Sequence, residues 1–106
     1  MARNKTRKKA LHIVRRKLGR ERARGQYYGP GSRYRGSAPR IEVDSRLEGC
    51  AELEVVIHEA LHHAFPDLTE DAVERADHQL ARVLWSMGYR KRKPNGTKTE
   101  SFVVAA

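Results

Sequence analysis

Pro66 divides the second half of this sequence into two runs of helical period, and that division leaves few folds open to the chain. Ahead of it, from Glu52 to about Ala64, Leu53, Val56, Ile57, Ala60, Leu61 and Ala64 recur at the spacing of one helix face. The proline ends that run, because the residue before a proline is pushed out of the helical region. Behind it, Thr69 offers an N-cap oxygen, and Glu70 and Asp71 bring negative charge to a helix N-terminus. Val73, Ala76, Leu80, Leu84 and Met87 form a second apolar stripe, and Gly88 is a natural stop. Two amphipathic helices joined by so few residues fold back on each other as an antiparallel hairpin.

The first half carries a different period. Arg40-Ile41-Glu42-Val43-Asp44 alternates polar and apolar residues, as a half-buried strand does. Gln26-Tyr27-Tyr28 reads as a second strand. Leu11-His12-Ile13-Val14, with Leu18 further on, suits a strand or a helix face, and its β-branched pair and Gly19 favour the strand. Gly29-Pro30-Gly31-Ser32 and Gly36-Ser37-Ala38-Pro39 bracket a turn-rich loop. The expected class is therefore α+β, a small antiparallel sheet of two or three strands packed on the helix hairpin. A chain of 106 residues has room for one domain. We expect that domain over 10–90, with a basic flexible arm at 1–9 and a basic tail at 91–106. In the tail, Pro94-Asn95-Gly96 is a turn, and Phe102-Val103-Val104 is either a last short strand or a weakly docked end.

Charge is segregated along this frame. Residues 1–40 hold fourteen Lys/Arg against the single acid Glu21, whereas residues 41–89 hold three against eleven acids. The formal net charge of +9 therefore comes from the two ends, and the hairpin is acidic. A basic arm of this kind can neutralise phosphates, so nucleic acid is an expected partner for the N-terminus beside its bland role as a solvated end. Cys50 is the one cysteine, which rules out an intrachain disulfide and a cysteine-based zinc site. That lone thiol, with no apolar stretch behind the basic N-terminus to form a secretory signal, gives the cytoplasm as the expected location. No apolar run approaches the roughly 18 residues that cross a bilayer, so a membrane role is not expected.

The chemistry lies in His58-Glu59-Ala60-Leu61-His62. Histidines four apart on a helix share a face one turn apart, which lets two neutral imidazoles bind one Zn²⁺. Glu59 adjoins the first of them and is placed to act as general base toward a water attacking a carbonyl. A bare His-Glu-x-x-His occurs by chance, but here it sits within an amphipathic helix and is followed at once by a second helix rich in acids. Catalytic zinc takes three protein ligands and keeps one position open. The longer pattern with a glycine and a third histidine fails, because Phe65 and Leu68 occupy those places. The third ligand must then come from the second helix, where Glu70, Glu74, Asp77 and His78 compete. Glu70 is favoured as ligand with Glu74 orienting a histidine, and the reverse assignment follows closely. His63 points about 100° from His62 and cannot share the metal, so it reads as a surface histidine or a substrate contact.

Leu53 to His62, then Phe65 to Glu74, then Leu80 to Trp85 resemble the small metallopeptidases of phages and bacterial genomes. These look like minimal zincins, distantly similar to the SprT-like and ImmA/IrrE-like groups, and the match spans roughly Ile41 to Arg90. The resemblance implies a zinc endopeptidase with a protein or peptide substrate. It also implies that Ile41 to Asp44 is the edge strand lining the cleft and that the second helix donates the third ligand. In glutamate-type zincins that helix reads Glu-x-x-Ala-Asp, and here Val73 and Glu74 stand for the last two residues. SprT-like proteins use a later histidine instead, which would promote His78. A DNA-associated or regulatory protein with structural or vestigial zinc is the alternative that the resemblance leaves open.

Overall fold

The computed structural model describes residues 10–18, 24–30, 38–92 and 100–104. Its elements are β1 (Leu11–Arg16), β2 (Gly25–Tyr28), β3 (Arg40–Asp44), α1 (Gly49–Ala64), α2 (Glu70–Ser86) and β4 (Glu100–Val104). The class is α+β, as expected. The expected basic arm, the Gly31–Ser32 and Gly36–Ser37 parts of the loop, and the Pro94-Asn95-Gly96 turn lie outside the described residues.

The sheet differs from the expectation in two ways. It has four strands in the order β2-β3-β1-β4, and it is mixed: β1 pairs parallel to β3, while β2–β3 and β1–β4 are antiparallel. Two reversals between β1 and β3 leave these strands pointing the same way. Because β2 then takes the outside position, β3 and β1 become neighbours. Turn residues mark the reversals but do not say which strands will lie side by side. Phe102-Val103-Val104 does form a strand, so the segment after Arg90 contributes β4 to the sheet.

The central strand shows what the sheet buries. Ile41 and Val43 face α1 and are wholly enclosed, forming one core with Leu11 and Val55, flanked by Ile13, Tyr27, Leu47, Val56 and Ala60. On the opposite face Glu42 is also fully buried. There its carboxylate takes hydrogen bonds from Arg16 (2.8 and 3.2 Å) and from Arg40 (2.8 Å). Such enclosure is tolerable only with charge partners of good geometry. Arg16 comes from β1, which pairs with β3, and Arg40 from β3 itself.

The helices begin and end for local reasons. α1 starts three residues before the expected Glu52, at Gly49, whose φ of +64° is one that L side chains rarely adopt. It stops at Ala64, just before Phe65-Pro66. Thr69 caps α2 as predicted, its Oγ1 accepting from the Ala72 amide at 3.1 Å. At the other end Gly88 has φ +94°, and the amides of Gly88 and Tyr89 donate to the carbonyls of Trp85 and Leu84. This closes α2 in a Schellman arrangement.

Among the described elements α2 packs on α1 alone. It therefore buries a narrow strip, Val73, Asp77 and Ala81, rather than the full predicted stripe, and leaves Leu80 and Met87 exposed. α1 itself lies on the sheet and buries Val55 and Glu59 most deeply. Ala64, expected on its core face, is exposed. No described helix is long and apolar enough to cross a membrane.

Candidate metal centre

The i, i+4 spacing on α1 brings His58 and His62 into an edge-to-face pair with ring centroids 4.9 Å apart. Their Nε2 atoms both turn toward the first residue of α2. His58 Nε2 lies 3.0 Å from Glu70 Oε2, and His62 Nε2 lies 2.9 Å from Glu70 Oε1. The short Phe65–Thr69 connection and the Thr69 cap are what set Glu70 opposite the two imidazoles, since they fix where α2 begins.

His58 is held from behind as well. Its Nδ1 is 2.6 Å from Oδ2 of Asp77, which lies in the buried strip of α2. A carboxylate there accepts a hydrogen bond from Nδ1–H, which selects the tautomer whose Nε2 carries the lone pair. Asp77, rather than the Glu74 expected to orient a histidine, is the carboxylate that meets His58 from behind. Glu74 lines the same cleft with an exposed side chain. His78, the other candidate ligand, lies apart from the pair: its Nδ1 contacts Glu54 at 3.2 Å and its Nε2 accepts from Arg82 at 2.9 Å.

Glu59 occupies the wall between α1 and β2 and is 8% exposed. The ligand atoms of His58, Glu59 and His62 lie within 4.8 Å of one another, so this group can hold a metal ion. Two carboxylates are therefore within reach of the imidazoles. Glu70 is the one at contact distance from both Nε2 atoms, whereas Glu59 sits to one side and is buried.

Burial shapes the proton affinities here. Glu59 is held above the ordinary carboxylate range, first by burial, then by the negative charges of Glu70 and Asp77, against the opposing pull of His58 and His62. Asp77 is also raised, first by burial, with a hydrogen bond to Glu54 adding to it. For His58 burial acts downward. The Asp77 hydrogen bond and the charges of Glu59, Glu70 and Asp77 outweigh it, leaving the imidazole above its usual value.

The cleft in front of these residues measures about 770 Å³ and reaches from Arg24 and Gly25 on the β2 side to Asp71 and Arg75 on α2. The strand at its edge is β2. Ile41 to Asp44, expected in that place, is β3 and lies inside the sheet between β1 and β2. The buried character of Ile41 and Val43 comes from this interior position, where a strand is covered on both sides by neighbours. His63 also differs from its reading as a surface residue. Its Nδ1 is 2.8 Å from the Tyr27 hydroxyl on β2, with the two rings edge to face.

Sequence reasoning missed two contacts. Asp77 was among the four candidate ligands, and its place behind His58 had a usable signal, a carboxylate four residues after Val73 and four before Ala81. The Tyr27–His63 contact had none, because it depends on which strand flanks α1. Comparison with known protein families, with curated proteins and with solved structures gives no match to this chain.

Proposed function

We propose that this protein is a zinc-dependent metallopeptidase of the cytoplasm, in which His58, His62 and Glu70 hold the metal and Glu59 is the general base. The observation that carries the reading is the convergence of two imidazole Nε2 atoms on one Glu70 carboxylate, at 3.0 and 2.9 Å, beside a buried glutamate. Two neutral nitrogens and one carboxylate form a donor set suited to zinc and leave a coordination position open. When bound, zinc supplies Lewis acidity, polarising a substrate carbonyl and making water more acidic.

The remaining steps belong to the chain itself. Asp77 keeps His58 in the tautomer whose Nε2 can ligate. Glu59 accepts a proton from the attacking water and passes it to the leaving amine. Its raised proton affinity suits that transfer, because a base poised nearer neutrality returns the proton more readily. Among the described strands β2 lies at the sheet edge and its Gly25 end borders the cleft, where an extended peptide can add to the sheet by main-chain hydrogen bonds.

Glu59→Gln is the direct test. The variant should bind one zinc per chain, as metal analysis would show, and lose hydrolysis of an unstructured protein such as casein by about 10²-fold or more. Retained cleavage would refute the role of Glu59. The companion variant His58→Ala should lose the metal, and a zinc content equal to that of the parent would refute the ligand set.

A further inference from the structure

We infer that Gly25 is a positioning residue: with no side chain at the start of the edge strand, β2 can lie against α1 at Glu59 and keep that carboxylate buried in the cleft wall. The importance of Glu59 rests on the proposed hydrolytic function, but the packing claim stands on geometry alone. Among the described glycines only Gly49 and Gly88 have positive φ, so Gly25 is not there for backbone freedom. Its role is steric.

A Cβ at this position would stand 2.6 Å from Val55 Cγ1, 3.2 Å from the Glu42 carbonyl oxygen and 3.3 Å from Glu59 Cγ. None of the three can yield easily. Val55 is buried and β-branched, so its χ1 has little freedom to swing the methyl aside. The Glu42 carbonyl is backbone of β3, the strand on which β2 is paired with Gly25 opposite Val43. Glu59 is on the same helix face as Val55, one turn further on.

The strand follows the helix beyond this point. Tyr27, two residues along on the same side of β2, meets His63, one helical turn after Glu59. That contact fixes one end of the strand against α1. A methyl group at 25 would therefore swing the other end outward, opening the wall beside Glu59 and admitting water to its carboxylate.

The experiment uses the full-length chain and measures carbodiimide labelling of Glu59 by mass spectrometry in four forms: the parent, Gly25→Ala, Val55→Ala and the double variant. Folding is followed by circular dichroism. In Gly25→Ala, labelling of Glu59 should rise several-fold while the far-ultraviolet spectrum is kept. In the double variant, where the 2.6 Å clash is gone, labelling should return toward the level of Val55→Ala alone. Unchanged labelling in a folded Gly25→Ala protein would overturn the inference. So would a rise that the second substitution fails to reverse, since the clash would not be its cause.

Casein hydrolysis gives a second readout, which a merely structural glycine would not move. For Gly25→Ala, kcat should fall by on the order of tenfold or more with KM little changed, and the double variant should recover part of the loss. If the parent protein hydrolyses nothing, the proposed function fails while the labelling comparison still decides the role of Gly25.

Discussion

At the scale of single residues the site depends on polar groups placed where packing would ordinarily put apolar ones. Asp77 is 5% exposed and lies in the strip of α2 that faces α1, a place that costs it hydration. The 2.6 Å contact with His58 Nδ1 offsets that cost and directs the imidazole. If the site binds zinc as proposed, Asp77→Ala should lower that affinity by about 10–100-fold in a chelator competition, with the helical spectrum retained. An affinity equal to the parent's would show that His58 needs no such support. Glu42 is a second polar residue in an enclosed place, bound by Arg16 and Arg40 on the sheet face away from α1. Its role is structural. Glu42→Ala removes the carboxylate that both arginines meet and should destabilise the fold by about 3–5 kcal/mol in urea unfolding.

At the scale of elements, the turn from β3 into α1 decides how the helix that carries His58 and His62 leaves the sheet. Asp44 organises it: Oδ1 accepts from the Arg46 amide, Oδ2 meets the Arg46 guanidinium at 2.6 Å, and its carbonyl accepts from Leu47. The Arg46 side-chain bonds lower the Asp44 pKa to about 2 from an ordinary 3.8. For an acid with a lowered folded pKa, the stabilisation is present above the unfolded value and is lost as pH falls through the folded one. The Asp44 contribution should therefore be full above pH 3.8 and disappear toward about pH 2. Asp44→Asn should remove this component from stability measured by urea unfolding across that range. Parallel curves for parent and variant would refute it. Because Arg46 is largely exposed, solvent screening keeps the effect modest.

At the scale of the whole molecule, one feature ties the fold together and another concerns what its surface meets. The first is the ion-pair network that ties β4 in, where Arg15 and Lys91 each bridge Glu52 of α1 and Glu100 of β4. It anchors the last strand beside β1 and joins sheet, helix and C-terminal segment. The second is the separation of charge, with the basic residues concentrated in 1–40 and the acids in 41–89. If the N-terminal arm binds DNA, affinity should fall steeply with salt, and deletion of residues 1–10 should flatten that slope. Absence of any salt-dependent binding would dismiss the DNA-associated alternative. Either outcome leaves the proposed metal site to be tested on its own.

How much of this was legible in the chain follows from the range of the interactions involved. Local physics is written in neighbouring residues, so the two helices, the Pro66 break, the Thr69 cap, the Gly88 stop and the periods of β2 and β3 could be read directly, whereas β1 and β4 each kept a second reading until the sheet paired them. The pairing of His58 with His62 is equally local, a consequence of four-residue spacing on one helix. Three things were decided only in the folded molecule. Strand order depends on packing between distant segments, which made β3 the interior strand and gave the cleft edge to β2. The buried face of α2 depends on its resting on α1 alone, which rotated the strip to include Asp77 and left Leu80 and Met87 outside. The third is the partner of the two imidazoles. Four residues on one helix were chemically eligible, and Glu70 meets both Nε2 atoms because of how α2 docks on α1, a packing that no local pattern specifies.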